Sequence, residues 1–108
     1  MAVTIDAHSD TFTVIVTFTP DPSRREELVE AIRAFVVTVV RHQPGFLSST
    51  VHVSADGTRV INYAQWADRE AYEAFGANGA VMDQRGAITN FPHEGQPYEI
   101  AFQVTATA

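Results

Sequence analysis

The chain contains no cysteine and no lysine; all seven of its basic residues are arginine. Without a thiol it can form neither a disulfide nor a thiolate nucleophile, and without a side-chain amine it cannot form a Schiff base. No serine sits in a Gly-x-Ser-x-Gly elbow. Gly76-Ala-Asn-Gly79 follows no strand, so it reads as a helix break and not as a phosphate-cradling loop. The four histidines, His8, His42, His52 and His93, lack the i, i+4 or His-x-His spacing of a ligand cluster, so no metal is expected, and His8 and His42 read as surface residues. Positive charge is scarce: seven basic residues against thirteen acidic ones give a net charge of −6, which argues against a nucleic-acid partner. Long apolar runs are missing too. The longest, around Phe35 to Val40, is far too short to cross a bilayer, and Met1 to Asp10 carries neither a basic nor an apolar targeting segment. The expected location is the cytoplasm, with no membrane contact.

What remains is a composition of 45% hydrophobic and 19% charged residues over 108 positions, which fits one globular domain spanning 1–108. A domain this short buries only about 60–70% of its unfolded surface, so a partner subunit is expected to add stability. Thr11 to Thr19 alternates Phe12, Val14, Val16 and Phe18 with Thr11, Thr13, Ile15 and Thr17, the period of a first strand. Pro20-Asp21-Pro22 ends it. Ser23 and Glu26 have the spacing of a capping box opening a helix, along which Leu28, Ile32, Phe35 and Val39 share one face. Pro44-Gly45 stops that helix. Strands are predicted over Phe46 to Val53 and Thr58 to Trp66, joined by the turn signal Ala55-Asp56-Gly57. Asp68 is a suitable N-cap for a second helix from Arg69 to about Thr89, broken near Gly76 to Gly79. After Pro92, Gly95 and Pro97 a last strand is predicted over Tyr98 to Thr105, presenting Ile100, Phe102 and Val104.

The order β-α-β-β-α-β is that of an α+β ferredoxin-like split βαβ fold, an antiparallel sheet with both helices on one face. The other face is left uncovered, and pairing two such faces gives a dimeric α+β barrel. On the third strand Asn62, Ala64 and Trp66 share a face, with Asn62 and Trp66 roughly 13 Å apart at about 3.3 Å per residue. Taken alone, that face is as consistent with an ordinary core as with a pocket. Its neighbours favour a pocket: His52 on the paired strand, Tyr72 early on the second helix and Arg85 on that helix's far half.

The segment HVSADGTRVINYAQWADREAYEAF, His52 to Phe75, resembles the aromatic polyketide anthrone monooxygenases of the antibiotic biosynthesis monooxygenase family. The likeness runs from the first strand to about Ile88, takes in PGFLSST at Pro44 to Thr50, and is strongest over NYAQW at Asn62 to Trp66. The resemblance implies oxidation of a small aromatic polyketide, an anthrone or phenol, to a quinone by O₂ in a homodimer, with no metal or organic cofactor. It casts Asn62, Trp66 and Arg85 as catalytic, with His52, Tyr63 and Tyr72 lining or supporting the substrate pocket, although strand alternation turns Tyr63 away from Asn62. Haem-degrading relatives carry an iron-binding histidine on the second helix, and the matching region around Gly76 to Gly79 has none. Two other readings stay open: a dimeric binding module without catalysis, and a quinol monooxygenase with a different substrate.

Overall fold

The computed structural model describes residues 2–107. Strand β1 covers Phe12–Phe18, and its alternation sends Val14 and Phe18 into the core. Helix α1, Arg25–Thr38, lays Leu28 and Ile32 on the sheet, with Val39 buried just beyond its end and Phe35 partly buried between them. Strand β2, Phe46–Val53, has the predicted bounds. Strand β3, Val60–Trp66, starts two residues later than predicted, because Thr58 belongs to the turn, where its N–H and hydroxyl both donate to Asp56. Helix α2, Arg69–Ala77, is capped by the Asp68 carboxylate, which accepts from the Ala71 N–H at 2.8 Å.

The helix break falls where the glycines predict it, and Asn78 supplies its chemistry. Its side chain accepts from the Val81 N–H and caps the short helix α3, Gly79–Met82. A 3₁₀ stretch, Asp83–Asn90, follows and kinks at Gly86, whose φ of 59° and ψ of −133° suit glycine alone. Strand β4 is His93–Tyr98.

Two expectations are corrected. Ser23 is not the N-cap of α1: Asp21 accepts from both the N–H and the hydroxyl of Ser23, making a 3₁₀ turn over Pro22–Arg24 before the helix begins. The carboxylate so close in sequence outcompetes the capping box. The last strand also lies earlier than Tyr98 to Thr105. Gly95 and Pro97 sit inside it because β4 is an edge strand, where a proline's missing N–H can face away from the ladder. Ile100, Phe102 and Val104 follow the sheet and are exposed, Phe102 and Val104 by 80% each.

The sheet order is β2-β3-β1-β4, antiparallel at every pairing, and the fold is ferredoxin-like. Register assigns the faces. Val16 opposes both Asn62 and Gly95, so these three lie in one row beneath the helices. Ile15 opposes Tyr63 and Gln96, a row on the other face. Gly45 brings β2 against α2: at φ 82° it hands its carbonyl to the Ala67 N–H at 2.7 Å, and a Cβ there would stand 2.4 Å from the Ala71 methyl.

The core divides in two. One cluster gathers Phe18, Leu28, Ile32, Val60, Ile88 and Phe91; the other gathers Val14, Val40, Ala64 and Trp66 with the rings of Phe46, Tyr72 and Phe75.

Candidate functional site

Between these clusters, under the helices, lies a cavity of about 300 Å³. Its floor comes from β3, β1 and β4 through Asn62, Trp66, Val16 and Gly95; its roof comes from α1, α2 and the 3₁₀ stretch through Phe35, Tyr72, Phe75 and Arg85. Alternation along β3 puts Asn62 and Trp66 on the same side, and the kink at Gly86 turns the chain immediately after Arg85.

Trp66 is only 2% exposed. Its ring packs against Phe75 at 5.0 Å and meets Phe46 and Tyr72 edge-on at 5.4 and 5.9 Å. Its indole N–H makes no hydrogen bond within the described residues, yet no side-chain nitrogen or oxygen among them is both fully buried and unpartnered. The N–H is therefore left accessible on a ring that lines the cavity. Asn62 is anchored by Ser49, whose hydroxyl donates to Oδ1, leaving the amide N–H groups as donors to the cavity. Arg85 donates through Nε to the Met82 carbonyl at 2.8 Å, and among the described residues no carboxylate lies within 4.0 Å of its guanidinium. Among the described residues no carboxylate lines the cavity. The polar lining is thus rich in donors and carries one fixed positive charge, an arrangement that favours a ligand with oxygen acceptors or an anion.

Of the six residues singled out from sequence, Asn62, Trp66, Tyr72 and Arg85 come together here. His52 and Tyr63 do not. His52 opposes Ile61 and is exposed, and Tyr63 opposes Ile15, so both project from the uncovered face. Tyr63 lines a larger recess there, of about 580 Å³, between the sheet and residues 4–7 and 97–100. That recess is rimmed by Asp6, Asp10, Asp68 and Glu99 against one cation, Arg69, which repels an anionic ligand. Its floor is fixed by Gln65, which donates to the Thr4 carbonyl and accepts from Ser48. The donor-rich cavity under the helices is therefore the candidate site.

Sequence reasoning missed two of its residues. Ser49 is legible in retrospect, since the β2–β3 register sets Ser49 opposite Ala64, beside Asn62. His93 carried no signal, because its segment was read as loop. It lines the cavity from β4, with its ring 5.0 Å from that of Phe18 and Nδ1 2.9 Å from the Phe91 carbonyl. Among the described residues no group of three His, Cys, Asp or Glu is placed to hold a metal ion, and no helix is long and apolar enough to cross a membrane.

A family model described as antibiotic biosynthesis monooxygenase matches residues 11–83. Tetracenomycin-F1 monooxygenase of Streptomyces glaucescens is 37% identical over 75 residues, covering 69% of this chain and 67% of that protein. The monooxygenase of the gene ActVA-Orf6 of Streptomyces coelicolor, solved with nanaomycin D, superposes with a TM-score of 0.75 at 35% identity over 89% of this chain and 92% of that one. SnoaB of Streptomyces nogalater, a cofactor-independent oxygenase, shares the fold with a TM-score of 0.68 at 22% identity, over 91% and 100% of the two chains.

Proposed function

We propose that this chain, which belongs to the antibiotic biosynthesis monooxygenase family and is a monooxygenase of that type, oxidises an aromatic polyketide anthrone to a quinone with O₂ and no cofactor. The observation that carries the reading is the cavity itself: an aromatic wall of Trp66, Tyr72 and Phe75 facing donors from Asn62 and Trp66 and the unpaired cation of Arg85. A fused-ring substrate stacks on the wall while its oxygens take the donors.

The substrate supplies the electrons. Loss of one proton gives an anion delocalised over the fused rings, which transfers an electron to O₂ and recombines with the reduced oxygen at the central carbon. The resulting hydroperoxide loses water, so the methylene becomes a carbonyl, one oxygen atom stays on the substrate, and the other leaves as water. The protein lowers the cost of the anion. Arg85 supplies a fixed positive charge, and the amide of Asn62, held by Ser49, and the indole N–H of Trp66 donate to the oxygen on which charge develops. Tyr72 adds a polar contact on the roof.

The working unit in this reading is a homodimer, formed by the uncovered sheet faces with the exposed segment of Ile100, Phe102 and Val104 reaching across. The similarity to proteins named for tetracenomycin-F1 and crystallised with nanaomycin D supports a polycyclic aromatic substrate. Oxygen uptake with a model anthrone such as 1,8-dihydroxyanthrone tests the assignment. One O₂ is consumed per quinone formed, without added metal, flavin or nicotinamide and in the presence of EDTA. No uptake above the buffer rate, or activity that EDTA removes and a transition metal restores, refutes it.

A further inference from the structure

We infer that His93 is the base of this site: its Nε2 takes the proton whose loss turns the bound phenolic substrate into the anion that reacts. The inference rests on the reading of the cavity as an oxygenase site.

Three observations carry it. The ring is already oriented: Nδ1 lies 2.9 Å from the Phe91 carbonyl, an acceptor, so Nδ1 holds the hydrogen and the lone pair is on Nε2. His93 is also the one imidazole lining the cavity among the described residues, and that lining holds no carboxylate or thiol that could take a proton in its place. The sheet then sets it at the right remove from the donors. Val16 faces both Asn62 and Gly95, and His93 is two residues before Gly95 on the same face, so the Asn62 and His93 Cα atoms are roughly 12 Å apart across two strand spacings. One fused polycycle lying on the floor between them reaches both.

Gly95 keeps that floor open. Its φ is not positive, and a Cβ built there would meet only Val16, at an ordinary 3.6 Å. Neither backbone conformation nor packing requires glycine at this position, and its missing side chain leaves room for a ligand on the floor beside His93. His52, on the paired strand β2, projects from the opposite face and cannot serve this cavity.

The step is a proton transfer. The O–H bond of the substrate's anthrol tautomer, whose central carbon carries one hydrogen, breaks, the Nε2–H bond forms, and the electron pair left on oxygen spreads through the rings to the central carbon. After O₂ has added at the central carbon, the imidazolium returns its proton to the peroxide. The remaining C–H bond on that carbon and the O–O bond then break, the C–H electron pair forms the carbonyl with the inner oxygen, and the outer oxygen leaves with the released proton as water. The charged group that shares the cavity lining with His93 is Arg85 on the 3₁₀ stretch, which steadies the substrate anion; Arg24 lies 4.6 Å over the ring of Phe91, two residues before His93. Glu94 projects from the opposite face, where it accepts from Gln96, and β1 brings only uncharged residues, Phe18 among them.

The test uses the full chain, His93→Gln, His93→Ala and, as a control far from the cavity, His42→Gln. With 1,8-dihydroxyanthrone, His93→Gln should lower kcat at least about tenfold, leave KM within about threefold, and abolish the fall of kcat/KM on the acid side that an imidazole base produces. Added imidazole should restore part of the rate to His93→Ala and none to the control. A second probe, the non-oxidisable hydroxyanthraquinone alizarin, reports ionisation by its visible spectrum without turnover. Wild-type protein should convert bound alizarin to its anion at a pH where His93→Gln leaves it neutral, and nitrogen NMR of the wild type should show His93 becoming an imidazolium as the dye binds. If the wild type ionises alizarin through His93 but consumes no O₂ with the anthrone, the anthrone assignment falls and the base assignment stands. Equal turnover by His93→Gln and the wild type, or equal ionisation of alizarin, or a His93 ring that stays neutral with the ionised dye bound, overturns it.

Discussion

Replacing Trp66 with phenylalanine separates packing from chemistry at the centre of the site. The indole is 2% exposed and touches three rings, at 5.0, 5.4 and 5.9 Å, so truncation must cost stability whatever the residue does in catalysis. The lost volume is on the order of 40 Å³; at about 24 cal/mol per Å³ of cavity this is about 1 kcal/mol, and with the lost transfer energy the total is about 1–2 kcal/mol. In a chain of this size that lowers Tm by several degrees. The phenyl ring keeps an aromatic wall but has no N–H. If that N–H donates to the substrate oxygen in the transition state, kcat falls roughly tenfold to a hundredfold, about 1.4–2.7 kcal/mol. Thermal melts should be followed by far-ultraviolet circular dichroism, because Trp66 is the only tryptophan and its fluorescence disappears with it. Turnover is read with an oxygen electrode well below the new Tm. A variant that melts several degrees lower yet turns over within twofold of the wild type would show that Trp66 is only core.

Further outcomes follow from the same structure. Arg85→Gln should shift the pH profile for turnover upward, since the substrate must then ionise without the cation; an unchanged profile would remove Arg85 from the site. Tyr63→Phe, on the face away from the cavity, should leave kcat within twofold. Light scattering at micromolar concentration should give the mass of a dimer, and a monomer would defeat the assembly proposed from the uncovered sheet. Hydrogen bonds from the hydroxyls of Ser54 and Thr58 and from the Thr58 N–H hold Asp56 down at about 2, below its ordinary 3.8. The folded form therefore keeps the charged carboxylate longer than the unfolded chain, a contribution fully present above about 4 and lost as pH falls through about 2. Asp56→Asn should flatten the denaturation midpoint across that window, and a slope unchanged from the wild type would refute the coupling.

Much of this molecule is legible in its sequence where one periodicity dominates. The alternations of β1 and β3 and the three- and four-residue steps from Leu28 to Val39 each bury one face, and nothing competes with them. Asn62 and Trp66 are readable as a pair for the same reason, and Tyr72 and Arg85 join them because α2 and the stretch after it must return across that face. The failures come where two local preferences compete. Asp21 takes the hydrogen bonds of Ser23 that a capping box would have used. Gly95 and Pro97 mark a loop by propensity, yet an edge strand satisfies only one neighbour and tolerates both. His93 was hidden by that misplacement. His52 was misjudged by parity: it pairs with Ile61 and not with Asn62, and a shift of one residue exchanges the faces of a sheet.

The division of the core into two clusters with a cavity between them makes the bound small molecule part of the folded protein's packing. A ligand that fills the gap binds only the native chain, so at a hundred times its Kd it adds about 2.7 kcal/mol to the unfolding free energy. Such a margin is a large fraction of what a domain of this size possesses. Resistance of the folded chain to unfolding and proteolysis should then rise with the concentration of any small molecule that fills the gap.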